Sequence, residues 1–144
     1  MEAHARKRWL LPALLIGALY FFIGVGFSAF ALWDSSIATH ETWNRLAFLV
    51  SGILFLIHLG HEHFRLRHSP RITATHVAIA VAIGAFGLAL MANINDLSSP
   101  AGYRPRMLVA LPAWPLLAGV PAFIVGLIVT AGLTLGRKRP VRNN

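Results

Sequence analysis

Four long stretches of this chain carry no charge, or almost none, and they define its organisation. The first runs from Trp9 to Trp33 between Arg8 and Asp34, and the second begins at Leu46 and fades through His58 to Phe64. The third spans Thr73 to Asn93, and the fourth runs from Met107 to Gly136, with its regular helix expected over about 112 to 136. Each is near or above the roughly 20 residues that an α-helix needs to cross a hydrocarbon core. Membrane β-strands would instead show alternating segments of about ten residues. The pattern therefore predicts an all-α integral membrane protein, 1–144 forming a single domain with spans at about 9–33, 46–64, 73–93 and 112–136.

Composition agrees, since 56% of the residues are hydrophobic and only 12% charged, against about a quarter charged in soluble domains. The formal charge of +8 suggests nucleic acid at first sight. The basic residues, however, form short clusters between apolar runs rather than one basic face, so no nucleic-acid partner is expected. Arg6, Lys7 and Arg8 precede an apolar run ending in the small-x-small pattern Ala29-Phe30-Ala31, as in a secretory signal. That run is longer than the usual apolar region of about 7 to 15 residues, which favours a retained first span.

Lys and Arg also set the expected orientation. Ten of the thirteen fall in the N-terminal tail (Arg6, Lys7, Arg8), the second connection (Arg65, Arg67, Arg71) and the C-terminal tail (Arg137, Lys138, Arg139, Arg142). The positive-inside rule then places both termini in the cytoplasm, with the connections near 34–45 and 94–106 outside. Trp9 marks the inner interface, and Trp33, Trp43, Tyr103 and Trp114 an outer aromatic belt. The expected location is a cytoplasmic (inner) membrane, with anionic lipids against the basic cytoplasmic face.

Short connections predict an up-down four-helix bundle in which consecutive spans are antiparallel neighbours. Stripes of small residues suggest the contact faces: Ala13, Gly17, Gly24, Ser28 and Ala31 in span one; Ala78, Ala82, Ala85, Ala89 and Ala92 in span three; Ala118, Ala122, Gly126 and Thr130 in span four. Such residues let helix backbones approach closely in lipid. Gly84 and Gly87 are read the same way. Pro112, Pro115 and Pro121 mark span four as irregular near its start, with a kink at Pro121 open. In the outer connections Asn93, Asn95 and Asp96 read as helix-ending residues, and Asp34 and Glu41 as partners for Arg104 and Arg106.

The candidate chemistry lies in LIHLGHEHFRLRH, residues 56–68. On a helical wheel of 100° per residue, His58 centres a face, with His61 about 60° to one side, Glu62 about 40° to the other and His63 pointing away. A turn near His68 and Ser69 sets His61 level with His76 on the next span, and His58 lies about one turn deeper. His58, His61 and His76 are thus the candidate cofactor ligands, and His58, His61, Glu62 and His76 the candidate metal ligands. Imidazoles with a carboxylate suit zinc, copper or iron; histidines on facing helices suit haem b; and a proton relay is the third chemistry. His63 and His68, among Arg65, Arg67 and Arg71, read instead as interfacial residues, and His4 and His40 as exposed ones.

The metalloprotease pattern H-E-x-x-H fails at Arg65, and H-x-x-E-H fails at Leu59. The chain has no cysteine, which removes thiol redox chemistry. Span one lacks the buried carboxylate that a small proton-coupled multidrug exporter needs. The leading expectation is a small non-enzymatic membrane protein, structural or an accessory subunit, packing against partner membrane subunits or a second copy. A haem- or metal-binding redox protein is the alternative, and a small transporter or channel the third.

Overall fold

The computed structural model describes residues 2–33, 37–99 and 104–137, with side chains placed for 10–32, 37–99 and 104–135. Asp34, Tyr103, Lys138, Arg139 and Arg142, and the side chains of Arg6, Lys7, Arg8, Trp9, Trp33 and Arg137, lie outside the described residues. Four long helices account for most of the rest: α1 (Glu2–Trp33), α2 (Ile37–Gly60), α3 (Pro70–Leu97) and α4 (Ala110–Arg137). A five-residue π-turn, His61–Arg65, extends α2, and a 3₁₀ turn, Pro105–Val109, leads into α4. All four are long and apolar enough to cross a membrane.

The helices outrun the apolar stretches at several ends, because polar residues there find local partners. α2 begins at Ile37, well before Leu46. Its first turns are held by the Arg45–Glu41 ion pair, by the Thr42 hydroxyl donating to the Ala38 carbonyl at 2.9 Å, and by Trp43, stacked on Phe30 and tilted against Phe27 of α1. α3 begins at Pro70, a favourable first helical residue, behind the cap Ser69, whose Oγ accepts from Ile72 N at 3.4 Å. α4 continues through Pro112, Pro115 and Pro121.

The chain does not form the bundle of consecutive neighbours that short connections suggest. α3 is the central helix, packed along both α4 and α1; α2 packs on α1 and meets α3 only over a short stretch. The reason lies in where the small residues fall. α1 and α3 run parallel in register: a Cβ added at Gly17 would stand 3.0 Å from the Ala80 carbonyl oxygen, one at Gly87 2.8 Å from the Phe21 ring, and one at Gly24 2.8 Å from Leu88. α3 and α4 run antiparallel, with Gly119 against Ala78 and Ala82 and Gly126 against Ala74. α2 offers few such positions, and Gly52, in its middle, has nothing within 4 Å of an added Cβ.

The small-residue stripes therefore hold in part. Ala13, Gly17, Ala31, Ala78, Ala89, Gly126 and Thr130 are buried, whereas Ser28 and Ala92 are exposed. The outward faces are apolar, with Phe22, Phe48, Leu117 and Ile128 all about two-thirds exposed or more, and polar residues such as Glu62, Asn93 and Asp96 are turned inward. The end away from the α2–α3 hairpin is closed by a clamp on the residues entering α4. The buried Asp96 carboxylate accepts from Arg104 N at 2.8 Å, Nε at 2.9 Å and a terminal guanidinium nitrogen at 2.6 Å, and Asn93 donates to the Met107 carbonyl at 2.9 Å. These partners replace the expected pairing of Arg104 with Glu41, which is bonded to Arg45.

Candidate functional site

At the hairpin end, the backbone of α2 widens before it turns. Leu66 N donates to the His61 carbonyl at 3.3 Å, an i to i+5 bond. Each residue of such a turn rotates the chain by less than the 100° of an α-helix, so side chains after Gly60 drift away from the faces an α-helical wheel assigns. Arg67 then adopts φ 53°, the left-handed conformation that reverses the chain. His68 is thereby folded back toward Glu62, and Ser69 and Pro70 start α3 at once.

Glu62 is the centre of the resulting cluster. Its residue exposure is 6%, and its Oε2 lies 2.7 Å from His68 Nδ1 and 3.2 Å from His76 Nδ1. On the other oxygen, Oε1, His58 Nε2 stands 3.9 Å away, too far for a hydrogen bond. The His68 and His76 rings are nearly perpendicular, with centroids 5.3 Å apart. Burial is graded: His58 and His76 are enclosed, and only His68, 35% exposed at its side chain, opens toward the surface.

Of the candidates read from the sequence, His58, Glu62 and His76 come together here. His61 is exposed and lies outside the group that Glu62, His68 and His76 form. His68, read as an interfacial residue, takes the position expected for His61. His63, expected to point away, is buried at 5% exposure, and neither ring nitrogen has a hydrogen-bond partner among the described residues. His58 Nδ1 is likewise buried without one. A signal for His68 was present in the sequence: Ser69-Pro70 is a strong helix start, which confines the chain reversal to the few residues before it.

The arrangement suits a small cation. The donor atoms of Glu62, His68 and His76 all lie within 4.8 Å of one another. Haem fits less well, because axial imidazoles must face each other across a macrocycle, whereas His68 and His76 here share one carboxylate oxygen. Comparison of the chain with family models, with curated proteins and with solved structures finds no match.

Proposed function

We propose that this chain is a multi-pass protein of the cytoplasmic membrane, with both termini inside, and that it works as a non-enzymatic accessory protein through the Glu62–histidine centre. The orientation rests on the basic clusters at Arg65, Arg67 and Arg71 and in the two tails. The single observation that supports a working centre is the buried carboxylate of Glu62, surrounded by three imidazoles at the end of two apolar helices. An ionisable group held within a membrane helix end is expensive, and such groups mark sites of function. Packing alone does not call for one, because apolar side chains of similar volume often replace a buried polar network without loss of stability.

The test separates those two roles. Glu62→Met, His68→Leu and His76→Leu are combined in the full chain, which is then expressed in cells lacking their own copy. The variant is expected to accumulate in the membrane at the normal level and to fail to restore the growth of wild-type cells. Full restoration by the variant would mean that the centre serves packing only.

A further inference from the structure

Among the described residues, no permanently charged group stands beside the Glu62 carboxylate. The groups that face its carboxylate within 4 Å, from α2, the reversal and α3, are His58, His68 and His76; among the described residues no Lys or Arg is paired with it. A buried carboxylate and imidazole nitrogens that converge on one point form a donor set suited to a divalent transition metal. These donors also lie close enough together to share one ion. A tetrahedral ion with bonds of about 2.0–2.1 Å holds its donors about 3.3 Å apart. Glu62 Oε2 and His76 Nδ1 are 3.2 Å apart, which matches; Oε2 and His68 Nδ1, 2.7 Å apart, are at hydrogen-bonding distance and would separate by about 0.6 Å on ligation. A second, independent feature points into the same place: His58, 96% buried, directs Nε2 toward Oε1 without reaching it, and its Nδ1 has no hydrogen-bond partner among the described residues.

We propose that Glu62, His68 and His76 bind one divalent transition-metal ion, with His58 orienting the carboxylate from the membrane side. The inference rests on the reading of this centre as the working site. Imidazole nitrogen with one carboxylate suits zinc, cobalt, nickel or ferrous iron; magnesium and calcium take sites made wholly of oxygen, and the absence of cysteine disfavours cuprous copper. The ion enters from the aqueous side through His68, the half-exposed ligand on the non-helical reversal, while Glu62 and His76 are held on helical backbone and stay in place.

The test uses the full chain, purified in detergent and stripped with chelator, then titrated with Zn²⁺ and, for its visible absorption, Co²⁺. One ion per chain is expected, with excess Mg²⁺ failing to compete. Glu62→Gln and His76→Ala should weaken binding by more than the roughly 10- to 100-fold that loss of an outer partner causes, and His58→Ala by about that amount. His68→Ala, in the exposed reversal where folding is least at risk, should speed metal release while His61→Ala leaves affinity and release unchanged. A folded chain that binds no Zn²⁺ or Co²⁺, or binds them as tightly in Glu62→Gln and His76→Ala, overturns the inference. If metal binding fails but the triple variant still cannot restore growth, the centre works with another ligand and the metal assignment alone is lost.

Discussion

Gly84 of α3 and Tyr20 of α1 share a space that one extra carbon would fill: a Cβ on Gly84 would stand 2.5 Å from Tyr20 Cβ and 3.0 Å from the Gly17 carbonyl oxygen. The second of these neighbours is backbone, which cannot rotate away. Gly84→Ala must therefore push the two helices apart, at a cost of about 1–3 kcal/mol. Gly26→Ala and Gly52→Ala meet nothing within 4 Å, and each should be neutral or slightly stabilising. Thermal unfolding of the three variants in one detergent checks the ranking, and equal melting points would show that α1 and α3 are not in this contact.

The alanine stripe of α3 yields a second ranking. Ala78 is buried, and Ala82 Cβ would lie 3.2 Å from a Cβ on Gly119, so both face α4 at close range. Ala92 shares their sequence spacing but is exposed. Ala78→Leu and Ala82→Leu are expected to lower stability by overpacking, and Ala92→Leu to leave it within about 0.5 kcal/mol. A large loss for Ala92→Leu would reveal a partner helix on that face.

The four helices were legible because a continuous apolar run of some twenty residues, without the alternation of a barrel strand, suits a long helix. Their neighbours were not. Connection length says that α2 and α3 are adjacent in sequence space, but backbone approach is set by where glycine and alanine leave room, and Gly17, Gly84 and Gly119 give that room to α1·α3 and α3·α4. Within the centre, Glu62, His58 and His76 followed from the helical wheel, the helical rise and a turn placed near His68 and Ser69. His61 faces out because the buried face at this end carries His58, Leu59, Glu62 and His63 and is not centred on His58, and His68 comes in because the chain reverses at Arg67.

Arg67 tests whether that reversal is what delivers His68. A non-glycine residue at φ 53° is held in a conformation that disfavours a Cβ by about 1 kcal/mol or more. Arg67→Gly should keep the reversal and be neutral to stabilising, while Arg67→Val should lower the melting point and weaken the His68 contact with Glu62. Chemical shifts of the His68 ring would report the second effect. Identical His68 signals in both variants would show that the turn does not depend on this conformation.

At the opposite end, removing either half of the Asp96–Arg104 pair should not be symmetrical. Arg104 is 55% exposed at its side chain and keeps its hydration when Asp96 is replaced, whereas Asp96, 3% exposed, is left with the Arg104 backbone N–H when the guanidinium is removed. Leaving a buried charge short of partners is worse than leaving an exposed one alone. Arg104→Ala is therefore expected to unfold at lower temperature than Asp96→Asn, and the order of the two melting points is the measurement. The reverse order would mean that the backbone bond to Asp96, not the guanidinium, holds the connection.

His63 and Glu62 are adjacent, both buried, and carry opposite expectations. Glu62 is met by imidazoles on both oxygens, and its loss breaks up a cluster. His63 has two ring nitrogens and no hydrogen-bond partner for either among the described residues, and the Phe64 ring packs edge-on against it with 5.0 Å between centroids. A buried donor without an acceptor costs about 1–3 kcal/mol. His63→Leu removes that penalty at similar volume, so it should raise the melting point while leaving the response to added Zn²⁺ unchanged. A fall in stability comparable to a core truncation would show that a group bonds the His63 ring, and would overturn this expectation.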